Sequence, residues 1–209
     1  NIAVLNKDFE VEKERYVLVE GDRIVSITGE APADYTGETY DGKGKLMMPG
    51  FFNTHAHSPM TLMRGYGENM ALQDWLNKLI FPFEDHLTSP AVYWGTTLAM
   101  AESLRFGIVS TSDMYYFIDD MAAAVKDCGA KANICRSIVN FAEPDVWKLP
   151  SMKEMVDTYS WNGAENGRII IDISMHAEYT SNENDVLAVA GFAKEKGARM
   201  HIHMSETQL

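Results

Sequence analysis

Cysteine is scarce in this 209-residue chain, with only Cys128 and Cys135 present. This scarcity argues against a disulfide-stabilised fold, and we expect two reduced, buried thiols. Long apolar runs are also lacking. No stretch of about 18 uncharged apolar residues occurs, so we expect no membrane-spanning helix.

Basic residues are outnumbered, with 18 Lys and Arg against 30 Asp and Glu, for a net charge of -12. Such a surface repels phosphate backbones and anionic lipid, so neither nucleic acid nor a membrane is expected as a partner. The first residues lack both an initiator Met and the basic and apolar segments of a secretory signal. We therefore expect a cytoplasmic protein whose gene product begins upstream of residue 1.

What the chain does contain is a change of pattern near residue 45. Residues 1–45 are rich in short β-type segments separated by turns, which is typical of part of a small β-unit. From residue 46 onward, strand-like and helical segments alternate, and this alternation predicts a parallel sheet. The predicted strands are residues 46–55, 108–113, 131–139, 168–174 and 198–204. Helices are predicted near residues 71–80, from Ser89-Pro90 to Gly107, at 118–127 and at 184–196. A further helix is predicted to begin at a capping box formed by Ser151 and Glu154.

The chain from Pro49 to His57 holds two histidines two residues apart, after an apolar run. In a strand, His55 and His57 point to the same side with Cα atoms about 6.6 Å apart, so both imidazoles can converge on one ion. A second cluster, His203 and Glu206, follows the last predicted strand. Because barrel enzymes keep their active sites at such strand ends, the two clusters favour a metal hydrolase site over ordinary histidines.

Three other residues, His201, Asp113 and His86, are expected to have structural roles. His201 shares a face with His203 and is expected to pack deeper in the barrel. Asp113 and His86 are interpreted as structural.

With these motifs in place, the chain resembles the amidohydrolase superfamily. Within it, the chain is most similar to the 5′-methylthioadenosine/S-adenosylhomocysteine deaminases and their triazine-chlorohydrolase relatives. The likeness runs through nearly the whole chain and is carried by PGFFNTHAH, the following SPMTLMRG, the FED of residues 83–85 and the final HIHMSET. It implies an α/β fold of the (β/α)8 TIM-type barrel kind. Residues 46–209 would form the first five units of an incomplete barrel, and residues 1–45 part of a small β-sandwich domain.

The resemblance also implies one divalent metal ion per site, zinc in most members, with iron as the alternative. His55, His57 and His203 would be ligands, and Glu206 would be the proton shuttle beside His203. The family's strand-six histidine and strand-eight aspartate cannot be assigned within this sequence. The remainder of the barrel is therefore expected from missing chain.

The activity implied is hydrolytic deamination of an adenosine-type substrate: 5′-methylthioadenosine, S-adenosylhomocysteine or adenosine. Metal-bound hydroxide would attack the purine carbon that bears the amino group, and ammonia would leave. Glu84 would accept hydrogen bonds from the ribose hydroxyls, His176 would bond the purine, and Trp75 would wall the pocket. Arg136 would pair with a distal carboxylate. The nearest later basic residue is Lys148, which lacks the bidentate fork of arginine and so favours substrates without that carboxylate.

Other interpretations remain open at this point. The substrate could be another amino- or chloro-substituted heterocycle, such as guanine or a triazine. The chain could also be a non-catalytic half-barrel that needs a partner chain, because an open parallel sheet exposes an unpaired edge. A homo-oligomer is left open. At the residue level, Arg136 could form a structural ion pair, and Trp75, His176 and Glu84 could be core, structural or solvated residues.

Overall fold

The computed structural model describes residues 1–206, and the chain divides into two compact units, Asn1–Gly50 and Phe51–Leu209. Within the described residues, no helix is both long and apolar enough to cross a bilayer.

The first unit is a four-stranded mixed sheet with the order β3-β2-β1-β4. Its strands are β1 (Ile2–Leu5), β2 (Val11–Glu20), β3 (Arg23–Thr28) and β4 (Leu46–Met47). Strand β2 runs antiparallel to both β1 and β3, whereas β4 is parallel to β1. The tight turn after β2 places Gly21 at a φ of 59°, a conformation that favours glycine. The predicted second sheet of a sandwich is not formed by the described residues of this unit, so the sandwich stays a prediction.

The second unit is built on parallel strands, as predicted. They are β5 (Phe51–Ala56), β6 (Ile108–Tyr115), β7 (Lys131–Arg136), β8 (Ile169–Ile171), β9 (Ile173–Ala177) and β10 (Met200–His203). Strands β5 to β8 pair in chain order, and β10 pairs with β9, in each case parallel. The parallel α/β architecture is thereby confirmed, while closure into a barrel stays a prediction.

The predicted strand 168–174 consists of two segments, β8 and β9, separated at Asp172. The hydrogen bonds continue across the break, because Asp172 N donates to Ile134 O (2.9 Å) and His176 N donates to Ile138 O (2.9 Å). The two segments therefore act as one strand between β7 and β10, and the five strand positions follow one another in chain order.

Helical segments connect the strands, and their bounds are as follows. They are the 3₁₀ helices Ser58–Met63, Val146–Lys148, Tyr159–Trp161 and Glu178–Thr180, the π-helical turn Leu76–Ile80, and the α-helical segments Leu72–Trp75, Phe81–Glu84, Ser89–Arg105, Ile118–Cys128, Pro150–Thr158, Ala164–Gly167 and Glu183–Lys196.

Two predicted helix starts are wrong by small shifts. The helix Ser89–Arg105 has Thr88 as its N-cap, so Ser89 lies inside the first turn. The predicted capping box of Ser151 and Glu154 does not form, because the helix begins at Pro150 with Leu149 as its N-cap. Proline is pre-organised for the first helical position, so it starts the helix one residue before the serine could cap it.

The hydrophobic core of the second unit lies between the sheet and its helices. The larger buried cluster joins Ile118, Met121 and Val125 of one helix to Ile134 and Ile171 of the sheet. Each of these side chains is at most 2% exposed. Burial of such side chains contributes roughly 1.5–3 kcal/mol each, so this packing holds the sheet rigid and fixes where its strands end.

Candidate functional site

Three histidines converge at the carboxyl ends of the first and last strands of the parallel sheet. His55 lies in β5, His57 directly follows it, and His203 ends β10. The Nε2 atom of His203 lies 3.0 Å from that of His55 and 3.2 Å from that of His57. These three residues form a group that could hold a metal ion. The two motifs are 146 residues apart in sequence and lie on strands at opposite ends of the strand order, so it is the curvature of the sheet that brings their side chains together.

The hydrogen bonds behind the rings determine which nitrogens carry protons. His57 Nδ1 lies 2.5 Å from Met114 O, and His203 Nδ1 lies 2.8 Å from His176 O. A carbonyl oxygen can only accept, so both Nδ1 atoms must be donors. In the neutral rings the Nε2 atoms are then bare, and they point their lone pairs at one another.

The electrostatics of the cluster favour neutral rings. The pKa of His55 falls to about 4, because partial burial disfavours the imidazolium and His57 and His203 would repel it. Burial likewise lowers the pKa of His57, although its bond to the Met114 carbonyl opposes the shift. Near neutral pH the imidazoles of His55 and His57 are therefore available as ligands rather than as cations.

This donor set fits a divalent cation. Bare nitrogens about 3 Å apart cannot hydrogen-bond to each other, so a cation between them would turn repulsion into ligation. Tetrahedral zinc with Zn–N bonds near 2.0–2.1 Å places its ligand nitrogens about 3.3 Å apart. The separations of 3.0 and 3.2 Å from His203 Nε2 are close to that value, and all three ligand atoms lie within 4.8 Å of one another.

Glu206 lies beside the histidines and is held by a tyrosine. Tyr179 Oη donates a 2.8 Å hydrogen bond to Glu206 Oε2. The loop that carries Glu206 is fixed one residue earlier, where Ser205 N donates to Glu178 Oε1 at 2.8 Å. The carboxylate therefore has a defined position next to His203.

A narrow cavity of about 50 Å³ adjoins the cluster, and it is lined by several of the predicted site residues. They are His57, Trp75, Glu84, His176, His203 and Glu206. His176 lies within β9, and its Nδ1 is 3.0 Å from the hydroxyl of Thr180. Burial raises the pKa of Glu84, and the nearby hydroxyls of Tyr115 and Tyr116 oppose the rise.

Arg136 lies outside this narrow cavity and lines a second one of about 410 Å³. Phe81, Glu84 and Tyr116 line both cavities, so the two adjoin. Arg136 Nε forms a 2.5 Å ion pair with Glu154 Oε2, and its guanidinium lies 4.5 Å from the centre of the Tyr116 ring. Lys148 is 69% exposed and pairs with Asp145 instead.

Four polar side chains at the site were missed by sequence reasoning. Tyr179 holds Glu206, Thr180 holds His176, Glu154 pairs with Arg136, and His201 bonds His55 at 2.9 Å. Only His201 carried a usable signal, because it shares a strand face with His203. His201 does lie deeper, against the buried Cys135, but it also contacts the site through His55, which the expected structural role did not include. Asp113 is buried and accepts from Ser58 N at 3.0 Å, which agrees with a structural role.

The sequence comparisons give one family and a consistent set of relatives. The profile described as the Amidohydrolase family matches residues 46–209. A 5-methylthioadenosine/S-adenosylhomocysteine deaminase of Symbiobacterium thermophilum is 39% identical over 196 residues, which cover 92% of this chain and 44% of the relative. A 5′-deoxyadenosine deaminase of Methanoregula boonei is 35% identical over 196 residues, which cover 92% of this chain and 44% of that relative.

Among solved structures, the fold matches an adenosine deaminase from Xanthomonas campestris determined with bound zinc. The TM-score is 0.79 at 26% identity, and the match covers 98% of this chain and 48% of that one. The chain thus spans about half the length of the relatives that it matches.

Proposed function

Because this chain belongs to the Amidohydrolase family, we propose that it carries a metal-dependent hydrolytic active site that deaminates an adenosine-type substrate. The observation that carries the proposal is the convergence of the Nε2 atoms of His55 and His57 on that of His203. The names of the relatives, deaminases of methylthioadenosine, S-adenosylhomocysteine and 5′-deoxyadenosine, support the substrate class.

In this proposal, His55, His57 and His203 hold the metal ion. When bound, zinc supplies Lewis-acid activation of water near neutral pH. Iron would serve the same purpose. Glu206 would take a proton from the attacking water and deliver it to the ring nitrogen beside the reacting carbon. It would then move the second proton, from the newly added hydroxyl, to the amino group, which leaves as ammonia. Tyr179 orients Glu206 for both transfers, since it donates to Oε2.

The two adjoining cavities suit a nucleoside with a substituent on its ribose. The narrow cavity of about 50 Å³ would have to widen to take the base beside Trp75 and His176, and the ribose hydroxyls would face Glu84 where the cavities meet. The 5′ substituent would enter the second cavity, whose lining includes Phe117, Phe141 and the Arg136–Glu154 pair.

The wider architecture is part of the same proposal. Residues 46–209 would form five β/α units of an eight-stranded barrel, and residues 1–45 would belong to a small β-sandwich domain. The length of the relatives supports this, because the matched regions are 44% of the first and 48% of the solved structure. The intact mass of the protein under denaturing conditions tests whether a longer chain completes the barrel. A mass of 23.4 kDa would instead favour a partner chain or a second copy.

Replacement of His203 tests the metal site. His203→Ala removes one of three ligands, so ammonia release from 5′-methylthioadenosine should fall by at least about a hundredfold and zinc content should fall with it. His86→Ala is a matched control, because it removes a histidine outside the cluster. Full activity of the His203 variant would refute the proposal.

Replacement of Glu84 separates a nucleoside substrate from a bare heterocycle. If Glu84 binds ribose hydroxyls, Glu84→Gln should lower kcat/KM for 5′-methylthioadenosine by about tenfold or more, since hydrogen bonds to a charged group contribute about 1.5–3 kcal/mol. Turnover of guanine or an aminotriazine by the unsubstituted protein, unaffected by Glu84→Gln, would favour the alternative substrate class.

A further inference from the structure

His201 connects the histidine cluster to a buried thiol. It lies in β10 two residues before His203, and its Nε2 is 2.9 Å from Nδ1 of His55. On the other side of the ring, its Nδ1 is 3.3 Å from Sγ of Cys135, which is fully buried in β7. The Cys135 sulfur is in turn 3.4 Å from the backbone oxygen of Asp113.

The direction of these hydrogen bonds follows from the acceptor at the end of the series, the backbone oxygen of Asp113. The Asp113 carbonyl can only accept, so the Cys135 thiol proton points toward it. The sulfur is then the acceptor for Nδ1–H of His201, which leaves Nε2 of His201 bare. That bare nitrogen accepts from Nδ1–H of His55, and Nε2 of His55 is left free to face His57 and His203.

Each of the three clustered histidines therefore has one hydrogen-bond acceptor behind it. For His57 and His203 the acceptors are the backbone oxygens of Met114 and His176. For His55 the acceptor is the side chain of His201. A backbone carbonyl cannot be removed by substitution, but a side chain can, so His55 is the ligand whose orientation depends on another residue's identity.

We infer that His201, supported by Cys135, is a positioning residue that fixes the tautomer and orientation of His55 as a metal ligand. The inference rests on the metal site proposed above. Acceptors behind ligating imidazoles raise ligand basicity, and their loss typically weakens metal binding about 10- to 100-fold.

The test is zinc affinity, measured on the metal-free protein by competition with a chromogenic chelator. His201→Phe keeps a ring of similar size but has no acceptor, so the zinc dissociation constant should rise about tenfold or more. His201→Gln keeps an acceptor oxygen near the position of Nε2 and should stay close to the unsubstituted protein. Cys135→Ala removes the acceptor behind His201 and should give a smaller loss, whereas Cys135→Ser should not.

Controls separate this inference from the metal site itself. His86→Phe makes the same replacement outside the cluster and should leave zinc affinity unchanged. If zinc does not bind the unsubstituted protein, or if His203→Ala leaves its affinity unchanged, the metal site and the inference both fail.

If zinc binds through His203 but His201→Phe matches the unsubstituted protein, the inference alone is overturned. Equal losses for His201→Phe and His201→Gln would overturn it as well. If His201→Phe does not fold, the zinc affinities of Cys135→Ala and Cys135→Ser provide the test. Equal affinities of these two variants would overturn the inference. Long-range ¹H–¹⁵N spectra of the imidazoles add an independent reading, because Nδ1 of His55 should be protonated in the unsubstituted protein and in His201→Gln.

Discussion

Arg136 is engaged by its own chain on three sides. Its Nε pairs with Glu154 Oε2 at 2.5 Å, its Nη1 donates to the Ser137 carbonyl, and its guanidinium lies over the Tyr116 ring. The side chain is only 14% exposed, so the pair with Glu154 is poorly screened by water. A substrate carboxylate would have to compete with Glu154 for the guanidinium. If the proposed function holds, this arrangement favours substrates whose 5′ substituent is uncharged, in agreement with Lys148 being the nearest later basic residue.

Glu154→Gln should shift this preference. The neutral amide no longer competes for Arg136, so kcat/KM for S-adenosylhomocysteine relative to 5′-methylthioadenosine should rise about tenfold, the lower end of what a charged hydrogen bond contributes. Ammonia release from the two substrates measures the ratio. Glu102→Gln is the matched control, because Glu102 pairs with Arg64 on the surface. An unchanged ratio would show that Glu154 does not limit carboxylate binding.

At the scale of single elements, helix starts depend on the cap that the chain offers. The helix Glu183–Lys196 begins after Asn182, whose side chain accepts from Asp185 N at 3.1 Å. Asp185 is 1% exposed and also accepts from Asn140 Nδ2 at 2.9 Å. The capped end of the helix is therefore also hydrogen-bonded to the loop after β7 through Asn140.

Asn182→Ala should lower the free energy of unfolding by about 1 kcal/mol, within the range of about 0.5–2 kcal/mol found for lost N-caps. Denaturant unfolding monitored by circular dichroism measures the change. Ser151→Ala is the comparison that the corrected helix start provides. Because Ser151 lies inside its helix and does not cap it, its replacement should change stability by less than about 0.5 kcal/mol. Equal losses for both variants would contradict this assignment of caps.

The segment from Leu72 to Glu84 illustrates a limit of sequence patterns for elements. Helical periodicity predicts an end near Ile80, but the chain continues through the π-helical turn Leu76–Ile80 into Phe81–Glu84. Pro82 lacks the N–H that a regular helix would use, and the wider turn before it accommodates the missing bond. The continuation carries Glu84 into the lining of both cavities.

For the whole molecule, Asp113 links stability to pH. It is 1% exposed, and its pKa rises from the ordinary value of 3.8 to about 6, because burial disfavours the carboxylate while the bond from Ser58 opposes the shift. The folded state thus holds a proton that the unfolded chain releases at lower pH. This contribution is fully present below about pH 4 and is lost as pH rises through 6.

Asp113→Asn should remove this loss of stability at higher pH. A rise of about two pKa units corresponds to about 3 kcal/mol, so the variant should gain stability relative to the unsubstituted protein between pH 4 and pH 7 by an amount of this order. Denaturant unfolding at the two pH values measures the difference, with Asp8→Asn as an exposed control. A stability difference between variant and parent that does not change with pH would refute the shift.

The sequence by itself determined the family, which the comparisons confirm, and the parallel α/β pattern of the second unit. Both depend on local information, because strand and helix periodicities and short motifs such as His55-Ala56-His57 lie within a few residues of one another. The resemblance to the family also implied that His203 would join the first two histidines.

Only the tertiary structure decided which side chains contact and orient the predicted site residues. His201 against His55, Tyr179 against Glu206 and Glu154 against Arg136 join residues between 18 and 146 positions apart. Each contact depends on strand register and helix placement, and these are set by the packing of the whole core. A shared strand face signals only that His201 and His203 point to the same side, and no local pattern specifies the three contacts. The candidate ligands could therefore be predicted from the sequence, and the contacts that orient them could not.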